Sequence, residues 1–436
     1  MTLRLKSAPR RHSRRLLVAL STTALLWGTT LPQSHAESPD NPWYASTFRL
    51  EEVWEHTRGE GITVAVIDSW VDDSLPELEG QVLDGTDLVP GGEEPSADGV
   101  DHGTAMASLI AGTGAGGGVR GLAPGVKILP IRADDGQDGA TVRLFDPIAD
   151  GIRYAVEEGA QIINISLVLE EGLATQDQLG EALETAARAG VLIFAGTGNE
   201  GEADNDSLEP GNRQGVVGIG AVDRNGERSP YSTYGPQVAL ASPGDEVPRR
   251  GCTGVGEAVC INERGGTSSA TAIASGAAAL IWSAHPDWTK NQVLRVMVET
   301  AVRTDDQIRD DYTGHGMIRP DRVILDGEGD PGDPDVNPLF ARYERSLDPP
   351  PSAEPTAPED DAEGGEENAG GAAGEEPEDQ AREDADAMPR IFQQGSDGGG
   401  GSGPVVLFGL AGAVLVGGVT TAVVLRRRAA ADVRSK

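Results

Sequence analysis

The sequence predicts an α/β fold with a mainly parallel sheet covered by helices on both faces. Three observations carry this. Short β-branched apolar runs recur along the first half of the chain, amphipathic helical stretches separate them, and glycines close those helices. Strand–helix–strand alternation of this kind builds parallel sheets with two covered faces.

The first strand, Gly61 to Ser69, reads Gly-Ile-Thr-Val-Ala-Val-Ile-Asp-Ser, a buried run with an acid at its carboxyl end. Val126 to Ile131 repeats the pattern. Asp146 to Glu158 sets Ile148, Ile152, Tyr154 and Val156 on one broad face, and Gly159 ends that helix. Gln161 to Leu167 is a third strand. Leu179 to Arg188 is a helix built on Leu179, Leu183 and Ala186, and Val191 to Ala195 is a fourth strand. A helix of very small residues runs from Ala270 to Trp282. Ligand sites in such folds lie at the carboxyl ends of the strands.

The chain has 436 residues, 70 acids against 35 bases, and a formal net charge of −35. That balance argues against a nucleic-acid binder, which needs Lys and Arg at phosphates. Two cysteines exclude a disulfide-rich scaffold. The charge is unevenly spread. Residues 1–36 carry six bases and no acid, then an apolar stretch from Leu16 to Trp27, then Ser34-His35-Ala36, and read as a secretory signal peptide. Residues 37–325 form the folded body. Residues 326–403 hold 22 acids and four bases in a Pro- and Gly-rich setting, and read as a disordered acidic linker. Residues 404–425 contain no charge and span about 33 Å as a helix, enough to cross a bilayer. Residues 426–436, opening Arg426-Arg427-Arg428, form a cytoplasmic tail. The expected product sits in the cell membrane by a single pass, with its body extracellular.

Three polar residues stand out in the body. Asp68 ends the first strand. His102 lies in Asp101-His102-Gly103-Thr104, and Ser268 in Gly265-Gly266-Thr267-Ser268 at the mouth of the small-residue helix. A serine hydroxyl is a poor nucleophile until a base takes its proton. An imidazole with near-neutral pKa does this, and a carboxylate fixes its tautomer. The chain order Asp, His, Ser is one of the known orders of such triads.

These residues, with Val64-Ala65-Val66-Ile67-Asp68-Ser69, Asn164-Ile165-Ser166-Leu167, Gly198-Asn199-Glu200-Gly201 and Tyr234-Gly235-Pro236, give the body a resemblance to the subtilisin-like serine peptidases. The overall layout most resembles the mycosins, membrane-anchored peptidases associated with type VII secretion in actinobacteria. The resemblance covers about residues 43–325. It implies a three-layer subtilisin-like fold and a triad of Asp68, His102 and Ser268. It also implies an oxyanion hole from the Asn199 amide and the Ser268 N–H, and a specificity pocket lined by Ser166, Leu167, Ala195 and Gly196. Cys252 and Cys260 enclose a short loop before Ser268. In an oxidising exterior they are expected to pair.

Three positions depart from the family pattern: Trp70 and Val168 stand where Gly is usual, and Ala272 where Pro is usual. Trp70 is expected either to strain its turn, if that turn needs positive φ, or to cover the edge of the triad. Trp43, Tyr44 and Trp54 are expected to pack along the body. The stretch before the first strand is too short for a folded inhibitory pro-domain. No cofactor is called for, and no metal-liganding loop is read. Two functions stay open. One is an exported, membrane-anchored serine endopeptidase acting on proteins or peptides beside a type VII secretion complex. The other is a weakly active or inactive scaffold of the same fold that stabilises such a complex.

Overall fold

A computed structural model describes residues 41–89, 101–134, 146–168, 176–251 and 258–347. The chain divides into two units, Met1–Glu363 and Gly364–Lys436, and every described residue belongs to the first. The signal peptide, most of the acidic linker, the apolar span 404–425, the tail and Cys252 lie outside the described residues. Among those that are described, no helix is long and apolar enough to cross a membrane.

Two short helices open the fold, α1 (Trp43–Thr47) and α2 (Leu50–His56). Then come β1 (Thr63–Asp68), β2 (Thr86–Asp87), α3 (His102–Ala111), β3 (Lys127–Arg132), α4 (Asp146–Glu157), β4 (Ile162–Ile165), α5 (Gln176–Arg188), β5 (Leu192–Gly196), β6 (Val216–Val222) and β7 (Val238–Pro243). A hairpin of β8 (Val247–Arg250) and β9 (Val259–Asn262) precedes α6 (Gly266–Ala284). The last described elements are α7 (Lys290–Thr300), α8 (Pro320–Ile324) and α9 (Ala341–Leu347).

Among the described residues, seven strands form one parallel sheet in the order β2-β3-β1-β4-β5-β6-β7. The chain builds outward from β1 to β3, then crosses back to β4 on the other side. The strand order therefore reverses at β1, and Asp68 stands at that switch point, where open α/β sheets place their ligands. Alternation along β1 explains the two cores. Val64 and Val66 join Phe194, α3 and α6 on one face; Ala65 and Ile67 join α4 and α5 on the other. All four β1 residues are fully buried.

Helix α6 owes its depth to its residues. Ala270, Ala272, Ala274, Ala277, Ala278 and Ala279 have no exposed surface. A Cβ on Gly276 would lie 2.9 Å from the Leu122 side chain, so only a bare backbone allows that approach. Trp43, Tyr44 and Trp54 are buried against the body as expected. The Trp54 indole donates to the Leu122 carbonyl at 2.9 Å.

The folded body runs on past the expected boundary at 325. Residues 326–347 pack back on α7 and α5. Lys290 pairs with Glu344, Tyr343 sits on the bare backbone of Gly215, and the Arg188 guanidinium donates to the Leu347 carbonyl at 3.0 Å. Asp326, Glu328 and Glu344 find cationic partners on the body in Arg49, Arg322 and Lys290, which offsets part of the ordering cost that the composition implied.

Candidate active site

Asp68, His102, Ser166, Asn199 and Ser268 come to the carboxyl end of the sheet because each follows, opens or ends an element there. Asp68 is fully buried. Its Oδ1 accepts the Ser69 N–H at 2.7 Å and meets His102 Nδ1 at 2.7 Å. With Nδ1 donating to a carboxylate, Nε2 is the free lone pair of the neutral ring. His102 opens α3, and the following glycine is required by space. A Cβ on Gly103 would lie 2.7 Å from the Ser69 carbonyl oxygen and 2.8 Å from that of Trp70. Thr104 then accepts from the Asp72 N–H at 2.9 Å, closing the turn between β1 and α3.

The His102 side chain keeps 27% of its surface exposed, while that of Asp68 has none. Burial pulls its pKa down, but the charge and hydrogen bond of Asp68, aided by Asp134, outweigh burial and hold it above the ordinary value. Arg249, reaching over from β8, opposes them.

Ser268 stands in the first turn of α6, 8% exposed. A polar ladder fixes that turn to β4. Ser275 Oγ donates to Asn164 Oδ1 (3.1 Å), Asn164 Nδ2 to Ser166 Oγ (3.0 Å), and Ser166 Oγ to the Ser268 carbonyl (3.2 Å). The Ser268 hydroxyl donates to the Ser166 carbonyl at 3.2 Å rather than to His102. Loose nucleophile–base geometry is common before substrate binds.

Asn199 follows β5 in an exposed loop. Its Oδ1 accepts the Thr267 N–H at 3.0 Å and the Thr267 hydroxyl at 3.3 Å. That assigns the carbonyl end of the amide to Thr267 and leaves the Nδ2 donors for another acceptor. Such a donor, held before reaction begins, stabilises charge that develops on an oxyanion. Ser166, Leu167, Ala195 and Gly196 lie at the ends of β4 and β5, all four buried. Gly196 faces Thr267, whose Oγ1 would be 3.0 Å from an added Cβ.

Trp70 is half-buried, with the Arg132 guanidinium 5.8 Å from its ring centroid. Its φ is not positive, so the strain expected of a bulky residue there does not arise. Ala272 is fully buried inside an uninterrupted α6. Cys260 lies on β9, and no cysteine is free among the described residues. Among those residues, no cluster of three His, Cys, Asp or Glu could hold a metal.

Three participants carry no signal in sequence. Arg249 and Asp134 reach His102 from distant elements, and Tyr231 reaches the Gly266 N–H at 3.2 Å. No motif marks any of them; only proximity does.

The profile of the Subtilase family matches residues 59–316. The chain is 32% identical over 262 residues to subtilisin NAT of Bacillus subtilis subsp. natto, covering 60% of this chain and 65% of that one. It is equally identical, over 262 residues, to a subtilisin of Bacillus pumilus, covering 60% and 90%. The chain thus spans 65% of the length of the first of these relatives. Among solved structures, MycP1 of Mycobacterium smegmatis superposes with a TM-score of 0.57 at 25% identity, covering 70% of this chain and 89% of that one. MycP3, described as a protease from the type VII (ESX-3) secretion system, superposes with a TM-score of 0.55 at 28% identity, covering 67% and 90%.

Proposed function

The chain belongs to the subtilase family, and on that premise we propose that it is an exported serine endopeptidase, anchored in the cell membrane and acting beside a type VII secretion complex. The observation that carries the chemistry is the 2.7 Å contact between buried Asp68 and His102 Nδ1, at the carboxyl end of the sheet where Ser268 and Asn199 also lie.

In this reading the Ser268 hydroxyl turns from the Ser166 carbonyl toward His102 Nε2 as substrate enters. His102 takes the proton while Oγ attacks the peptide carbonyl. Asp68 holds the ring and stabilises its cationic form. The Asn199 amide and the Ser268 N–H receive the oxyanion. His102 returns the proton to the leaving amine, and water, activated by the same imidazole, hydrolyses the acyl-enzyme. Ser166, Leu167, Ala195 and Gly196 wall the pocket for the residue before the scissile bond.

The uncharged run 404–425 followed by three arginines supports the anchor, and the basic, apolar leader supports export. A Cys252–Cys260 disulfide would pin the hairpin ahead of the nucleophile. Protease neighbours from type VII systems support the setting. A second reading, a scaffold of low activity, draws on the Ser268 hydroxyl resting on Ser166.

A fluorophosphonate probe tests the chemistry. The full chain is expected to label, and Ser268→Ala to abolish labelling. An intact, folded chain that stays unlabelled while another subtilisin labels would refute the enzyme reading and leave the scaffold. Deleting residues 404–436 is expected to release the protein from membranes; retention there would refute the anchor.

A further inference from the structure

The turn that carries the nucleophile hangs on a tyrosine. Gly266 adopts φ +82°, and its N–H is among the first of α6, which have no partner within the helix. Tyr231 supplies the acceptor, its hydroxyl lying 3.2 Å from that nitrogen. The same hydroxyl donates to Asp245 Oδ1 at 2.6 Å. Asp245 is itself held on two other sides. Its Oδ2 accepts from Ser229 Oγ at 2.7 Å, and its backbone carbonyl accepts the Trp43 indole N–H at 2.9 Å. The Tyr231 ring is 3% exposed and lies under the Arg264 guanidinium, 4.6 Å from its centroid.

The two residues after Gly266 give this anchorage its consequence. Thr267 holds the Asn199 carbonyl through its N–H and hydroxyl, and Ser268 comes immediately after. A shift of the Gly266 peptide would move both the Asn199 amide and Ser268. On the side of β7 the same stretch is held by the Gly265 N–H, which donates to the Gly244 carbonyl at 2.9 Å, and by close packing of bare backbone. A Cβ on Gly265 would lie 2.6 Å from the Gly244 carbonyl oxygen, and one on Gly244 would lie 3.1 Å from both the Tyr231 hydroxyl and the Gly266 carbonyl oxygen.

We propose that Tyr231 is a positioning residue for the nucleophile turn, and that Asp245 and Trp43 extend its anchorage to the N-terminal helix α1. It touches neither substrate nor reacting atoms. It sets where Ser268 and Asn199 stand, so its loss raises the barrier to acylation while leaving the fold intact. This inference rests on the serine-peptidase reading.

The test is a double-mutant cycle on the full chain, read as the rate of fluorophosphonate acylation. Tyr231→Phe keeps the ring and removes the hydroxyl. It is expected to slow acylation about tenfold, equivalent to about 1.4 kcal/mol of barrier, with a melting temperature near that of the parent. In an Asn199→Ala background the same change is expected to lose part of its effect, because one of the two groups that Tyr231 positions is gone. An unchanged rate in Tyr231→Phe, or an equal loss in both backgrounds, overturns the inference. If Tyr231→Phe fails to fold, Asp245→Asn replaces it in the cycle with the same expectations. A parent chain that is not labelled refutes the peptidase reading itself, whereas a labelled parent with an unaffected Tyr231→Phe refutes only the role of the tyrosine.

Discussion

Glu77 is fully buried in the loop between β1 and β2, and Arg250, on β8, meets it with both prongs of its guanidinium. The Nη2–Oε2 distance is 2.6 Å, and the Arg250 side chain keeps 10% of its surface. The pair lies directly on the backbone of Gly118, where an added Cβ would come within 2.4 Å of Glu77 Oε2 and 2.8 Å of Arg250 Nη2. The Glu77 carbonyl further accepts the Thr113 N–H at 2.9 Å and hydroxyl at 3.0 Å. Replacing Glu77 by Gln keeps the shape and removes the charge, so the buried guanidinium loses the Glu77 carboxylate as a partner. Breaking one side of a buried ion pair costs about 3–5 kcal/mol. The lower figure, ~3 kcal/mol, applies here because Arg250 has other interactions. At about 2 °C per kcal/mol for a body of this size, the melting temperature falls by ~6 °C. Calorimetry on the full chain measures this, and urea unfolding at fixed m checks that stability and not compactness has changed. The double variant Glu77→Leu/Arg250→Met, which removes both charges, is expected to recover much of the loss. A Glu77→Gln cost below about 1 kcal/mol, or a double variant no better than the single, would refute the argument that this pair ties the β8–β9 hairpin to the body.

Asn199→Ala is expected to slow acylation about 10²–10³-fold, a magnitude taken from removal of an equivalent donor in a subtilisin; a loss under about fivefold by stopped-flow labelling would mean that another donor receives the oxyanion. Arg249→Ala removes the charge that opposes Asp68 at His102. The His102 pKa then rises further, so the acid limb of the labelling rate against pH moves to higher pH; movement the other way would contradict the assigned electrostatics. Asp310 is partly buried, which raises its pKa, but Arg303 and the N–H groups of Thr313 and Tyr312 outweigh that and hold its carboxyl well below the usual range. Its folded pKa is below the unfolded value of 3.8, so its stabilisation is present above that pH and fades as pH falls toward the folded value. Asp310→Asn is therefore expected to be less stable than the parent at neutral pH and to converge with it in acid; a constant gap across that range would refute the linkage.

The strands and helices legible in sequence are those whose own periodicity announces them. β1, β3, β4 and β5 are dense in Ile, Val, Leu and Phe, and α4 and α5 carry one apolar face each. The structure shifts their ends by one or two residues, and the start of α5 by about a turn. β6 and β7 are harder to read because their sequences, Val-Val-Gly-Ile-Gly-Ala-Val and Val-Ala-Leu-Ala-Ser-Pro, mix in residues of low strand propensity. Their pairing on the parallel sheet overrides that preference. The segment 326–347 misleads for the opposite reason. Its acidity reads as disorder, while Lys290 and Arg295 on α7 supply the contacts that order it.

Sequence by itself determined the chemistry on offer. A strand-end acid, a histidine before Gly-Thr and a serine after Gly-Gly-Thr are local patterns, because each answers a local demand for a strand end, a close approach or a tight turn. Tertiary structure alone decided how those groups stand. It turned the Ser268 hydroxyl onto Ser166, brought Arg249 to oppose Asp68 at the imidazole, and hung the nucleophile turn on Tyr231. Electrostatics and hydrogen bonds act through space between residues far apart in the chain, so no run of neighbouring letters records them.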